Sequence, residues 1–355
     1  MIKTTYYFAV LSKNASREHD AWWLISERTG SDDSRKEKLR ATLQFFGQEA
    51  KLDEFSQALN SSPESSALSP ELSGMFEQLT LDLKEFLRPE EFNVFENIHF
   101  GLLPLSSVDG LCLDRTIQGE MLDGFLVILN EGLWVCTHLL SKAFILENLD
   151  GDFTELRRSG QQDFELAIRH YIAPTGKNAN SVFFENLPPA VDGQLSAAQS
   201  TMAILILQFV VLHEVGHIVN RDFELAGEYR FHIGKTPAAP SAPTQKYWDA
   251  ECAADEYSLD AICRHSRADI SRWANFCTIY VFFHWLASVE KVTGCPLCPL
   301  HPPPSELGER LLRWMYSHYP PDQQAIHYIK QTQSILQSWI KSELHNELSE
   351  FQHSN

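Results

Sequence analysis

One uninterrupted stretch, SAAQSTMAILILQFVVLHEVGHIVNRD, beginning at Ser196, constrains this chain more than any other. It contains no proline, opens on a residue suited to capping a helix, and is long enough for about seven turns. The pattern predicts a long, strongly apolar helix. His213, Glu214 and His217 interrupt its apolar run. Core packing alone favours leucine at such places, because burying a charge without a partner is costly.

The spacing supplies a reason for them. Residues i and i+4 lie one above the other on a helix face, so His213 and His217 can present imidazole nitrogens to one cation. Glu214 is rotated one residue from the first histidine, beside that cation, where a carboxylate can act as general base. A zinc ion lowers the pKa of a coordinated water to about 7 and makes such a base useful. Two core histidines satisfied by hydrogen bonds are the bland alternative.

A catalytic zinc needs a third protein ligand and an open position. A third histidine six residues after the second is excluded, because position 223 is Phe. The downstream segment YWDAECAADEYSLDAI offers Glu251 and Asp255, again at i and i+4. Glu251 suits a metal ligand, and Asp255 suits a carboxylate holding the far nitrogen of a ligand histidine. A solvated acidic face is the competing reading, since Asp249, Glu256 and Asp260 are close by. The small residues Ala250, Ala253 and Ala254 argue instead for close helix packing.

Together, HEVGH, ECAAD and HPPPSELGERL resemble the gluzincin metallopeptidases that include the CaaX prenyl endopeptidases and their soluble relatives. The resemblance spans roughly residues 196–312. It implies zinc held by His213, His217 and Glu251, with Glu214 as catalytic base and Asp255 as the partner of a ligand histidine. It also implies that His301 stabilises the oxyanion and that Arg310 is the arginine following it. The flanking membrane helices of that family are not evident.

Elsewhere the chain is read more coarsely. TYYFAVLS suggests a short strand, and SRKEKLRATLQFFGQEAKLDEFSQALN suggests a helix. Ser61 to Gly74 reads as a Ser/Pro-rich loop. Gly124 to Asn130 predicts a strand, either a central one or an edge on which an extended peptide can pair. Helices are expected over Gly132–Leu146, Asp152–Tyr171, Trp248–His265 and Ile270–Thr293, with a low-complexity loop at Gly234–Lys246 and more helix after Leu312. WANFCTIYVFFHWLASV, Trp273 to Val289, has the length of a short membrane span. Its Asn275 and His284 favour a buried core helix, so no membrane span is expected.

A net charge of −18 argues against a general nucleic-acid partner. The early sequence lacks a signal-peptide core, and the seven cysteines are odd in number and scattered, which points to a cytoplasmic protein with free thiols. Cys295, Cys298 and His301 have spacings that suit a small second zinc site. Tyr229, His232, Tyr247 and Tyr257 are candidate donors to a reaction intermediate.

The resulting expectation is a mainly α (α+β) protein. Residues 1–120 form a mostly helical extension that is regulatory or substrate-selecting, with a regulatory partner as one option. Residues 121–355 form a zincin-like metallopeptidase domain with an active-site helix and a small sheet. The expected activity is zinc-dependent hydrolysis of a protein or peptide. The alternatives are a narrow-specificity protease of a stress or phage-defence system, and a non-catalytic metal-binding sensor.

Overall fold

The computed structural model describes residues 9–11, 79, 82–96, 98–103, 110–113, 116–117, 120–121, 125–148, 154–172, 193–222, 244–294 and 301–341. The protein is mainly α-helical. Its long helices are α1 (Glu131–Glu147), α2 (Thr154–Ile172), α3 (Gly193–Val219), α4 (Thr244–His265), α5 (Asp269–Thr293), α6 (Pro304–His318) and α7 (Gln323–Lys341). The strands are short: β1 (Ala9–Leu11), β2 (Ile98–Leu103), β3 (Gly110–Leu113), β4 (Thr116–Ile117), β5 (Glu120–Met121) and β6 (Phe125–Asn130).

β6 runs without a loop into α1. It pairs in parallel with β2, Ile98 opposite Phe125, and antiparallel with β3, Cys112 opposite Val127. The order β1-β2-β6-β3 makes β6 internal, which settles the choice left open for Gly124–Asn130: both of its edges are occupied. Val127 and Leu129, two residues apart and therefore on one face of the strand, are both buried. β1, β2 and β3 come from the first 120 residues, so pairing crosses the expected boundary between residues 120 and 121.

α3 is the axis of the molecule. It packs against α1, α4 and α5, and it also touches β3 and β6. Its 27 residues span about 40 Å. Its fully exposed residues lie in its first turns, at Ala197, Ala198 and Thr201, whereas Leu205 to Phe209 and Val211 to Leu212 are buried. A helix apolar around its circumference needs neighbours on all sides, and these helices supply them. Ala197–Val219 is also the one helix, among the described residues, long and apolar enough to cross a membrane, and most of it is buried inside the protein. The segment Trp273–Val289 forms most of α5, where Trp273, Phe276, Ile279, Val281 and Trp285 are core residues.

Candidate metal centre

α3 and α4 meet where both are lined by small residues. A Cβ on Gly216 would stand 3.1 Å from the Ala254 Cα and 3.1 Å from Tyr257 Cδ1. Only glycine lets the two backbones approach this closely. The contact sits between the two histidines of α3 and directly beside the acidic pair of α4. Glu251 and Asp255 are therefore turned inward, 1% and 3% exposed, while Asp249 lies in solvent. The solvated-face reading of that acidic cluster does not hold for these two residues.

Three atoms converge at this point. His213 Nε2 and His217 Nε2 are 3.1 Å apart. Glu251 Oε2 lies 3.2 Å from the first and 3.5 Å from the second. Ligand atoms about 2.0–2.1 Å from a tetrahedral zinc stand about 3.3 Å from one another, which is the size of this triangle. The far nitrogens are also engaged. His213 Nδ1 is 2.8 Å from Asp255 Oδ1, and His217 Nδ1 is 2.7 Å from Asp222 Oδ2. With each Nδ1–H donated to a carboxylate, a neutral imidazole directs its Nε2 lone pair inward. Two lone pairs and a carboxylate oxygen facing one another require positive charge between them. His213, His217 and Glu251 thus form a buried group that could hold a metal ion.

The charges agree. Burial alone would lower the pKa of both histidines, but the carboxylates outweigh it. Asp255 and Glu251 hold His213 well above its ordinary value, and Glu251 with Asp222 pushes His217 up to about 9. Burial would raise Glu251, yet His301, His217 and His213 hold it well below the usual carboxylate range. Glu214 behaves differently. Burial raises its pKa, with the two neighbouring histidines only partly countering, and its Oε2 is sealed without a hydrogen-bond partner among the described residues. An acid of this kind, deep in an apolar helix, is poised to take up a proton.

His301 comes to the same place from the turn preceding α6. Its Nδ1 is 3.1 Å from Glu251 Oε2, and its half-exposed ring lies nearly parallel to that of His213. Arg310 does not join it: its Nε donates to Glu256 Oε1 at 2.8 Å on the outer side of α4. Of the candidate donors, Tyr257 is already committed, its hydroxyl donating to Glu91 Oε2 at 3.1 Å. Tyr247 lies in the first turn of α4. Tyr229, His232, Cys295 and Cys298 fall outside the described residues.

Sequence reasoning missed Asp222. α3 ends at Val219, and Arg221 then adopts a left-handed backbone (φ 59°), folding the chain back so that Asp222 reaches His217. The only available signal was an acidic residue just beyond the second histidine. No family model, curated protein or solved structure matches the chain.

Proposed function

We propose that this protein is a zinc-dependent peptidase of the gluzincin type, cleaving a protein or peptide with Glu214 as general base. The observation that supports it best is the triangle of His213 Nε2, His217 Nε2 and Glu251 Oε2, with edges of 3.1, 3.2 and 3.5 Å. A donor set of two imidazoles and one carboxylate suits zinc and leaves a coordination position for solvent or substrate. Bound there, zinc would supply Lewis acidity, polarising a carbonyl and making water more acidic.

The remaining work falls to side chains. Asp255 holds the His213 imidazole in the tautomer that faces the centre. Glu214, buried and raised in pKa, accepts the proton lost by the attacking water. It then delivers that proton to the amide nitrogen as the carbon–nitrogen bond breaks, giving one carboxylate and one amine. Atoms balance, and no covalent link to the protein forms. His301, whose Nδ1 lies 3.1 Å from Glu251 Oε2, would donate to the developing oxyanion. Arg310, occupied by Glu256, has no part in this scheme.

The decisive experiment compares wild type with Glu214→Gln for bound metal and for cleavage of a peptide library. The expected result is unchanged zinc content with turnover reduced by about 10²–10⁴-fold. Equal turnover in the two proteins would rule this mechanism out.

A further inference from the structure

The geometry points to Asp222 as a second positioning carboxylate, one that orients His217 toward the cation as Asp255 orients His213. This rests on the metal reading above and adds a residue to it. Asp222 Oδ2 is 2.7 Å from His217 Nδ1, and both side chains are nearly sealed from solvent, at 7% and 1% exposure. Sealing matters, because a hydrogen-bonded pair in solvent would exchange freely with water and fix little.

The local backbone indicates that this contact is built rather than incidental. The last turn of α3 closes with the Asn220 amide on the Gly216 carbonyl at 2.8 Å and the Arg221 amide on the Ile218 carbonyl at 3.2 Å. Arg221 then takes a left-handed conformation that a residue with a Cβ adopts at a cost of about 1–2 kcal/mol. A glycine would remove that cost. Without the turn, a residue five positions after His217 would continue up the helix axis, away from the ring. The turn instead returns Asp222 to the imidazole it follows.

Two orienting carboxylates have a consequence that one lacks. Both Nε2 atoms of the 3.1 Å pair are fixed as acceptors, so neither imidazole can relieve the other by donating a proton in its neutral form. Whenever the two imidazoles are neutral, as metal ligation requires, the tautomer is already set at both of them. The preorganisation appears as affinity, and an outer carboxylate of this kind contributes about 10- to 100-fold.

The test uses the full chain and zinc alone, with affinity measured against a competing chelator and cobalt substitution giving a spectrum of the ligand field. Asp222→Asn keeps the shape and removes the charge. The expected outcome is a zinc affinity lower by about 10- to 100-fold, an altered cobalt spectrum and unchanged far-ultraviolet circular dichroism. Asp222→Glu should recover part of the loss. Arg221→Gly, which keeps Asp222 and relieves the backbone, should bind zinc as wild type does. Wild-type affinity and an unchanged spectrum in Asp222→Asn would overturn the positioning role while leaving the metal centre intact. Failure of the wild type to bind any divalent ion would overturn both together.

Discussion

Between α1 and α2, Lys142 Nζ meets Asp163 Oδ2 at 2.8 Å, one buried cation for one buried anion, whereas four buried carboxylates (Glu214, Asp222, Glu251 and Asp255) gather around His213 and His217. Both regions place charge and histidine in the core, and the histidines respond in opposite ways. Burial lowers the pKa of His170 and takes His138 down to about 4, the latter despite the pull of the Trp134 carbonyl. The same depth leaves His217 at about 9, because the carboxylates outweigh desolvation. Depth therefore does not distinguish a packing histidine from a ligand. The local sum of charge does. A balanced pair needs nothing further, while an excess of anion calls for a cation.

The comparison can be broken most forcefully at the balanced pair. Lys142→Met should strand Asp163 in the core and cost about 3–5 kcal/mol in urea unfolding, without change in zinc affinity. Adding Asp163→Leu should restore most of that loss. A neutral single substitution would mean that the pair is not effectively buried.

Acid and alkali should separate the two regions next. His217 of the zinc-free protein has its pKa raised from 6.5 to about 9, so its stabilising contribution is complete below pH 6.5 and disappears as the pH rises through 9. His138 is lowered from 6.5 to about 4, so its contribution is complete above pH 6.5 and disappears as the pH falls through 4. Each is worth about 3 kcal/mol. Thermal unfolding with a chelator should show losses on both sides, and added zinc should remove only the alkaline one. An alkaline limb unaffected by zinc would detach His217 from the metal centre.

The smallest effect sharpens the contrast most. Each region has a glycine at its closest helix contact. A Cβ at Gly160 would lie 3.0 Å from the Ala143 carbonyl oxygen, and one at Gly216 would lie 3.1 Å from the Ala254 Cα. Alanine gains about 1 kcal/mol of helix propensity but overpacks by about 1–3 kcal/mol against backbone that cannot swing away. Both substitutions should therefore lose about 1 kcal/mol net. Only Gly216→Ala should also weaken zinc binding, because α3 and α4 carry His213, His217 and Glu251. Equal zinc affinity in the two variants would show that the spacing of α3 and α4 is not what sets the centre.

Much of the helical framework was legible beforehand. The starts and ends of α1, α2, α4 and α5 lie within a few residues of those expected, since apolar periodicity and turn residues are local signals. His213, His217, Glu251 and Asp255 could be named because i and i+4 spacing has a fixed geometric meaning on a helix. Asp222 could not. Its contact depends on a left-handed turn at an arginine, which no preference of that residue announces. Nor could the engagement of Tyr257 with Glu91, a pairing across 166 positions. Arg310 was assigned through the family resemblance, as the arginine following His301, and the folded protein gives it to Glu256.

By itself the sequence determined that one long apolar helix would carry two histidines and a glutamate on nearly the same face, and that an acidic pair with matching spacing would follow on another helix. Those are consequences of helical repeat, which acts over a few residues. Only the tertiary structure decided that the acids face inward, that Gly216 and Ala254 let the helices close to the separation a single ion requires, and that a second carboxylate completes the other histidine. These depend on which surfaces meet, and that is fixed by packing of the whole core rather than by any segment.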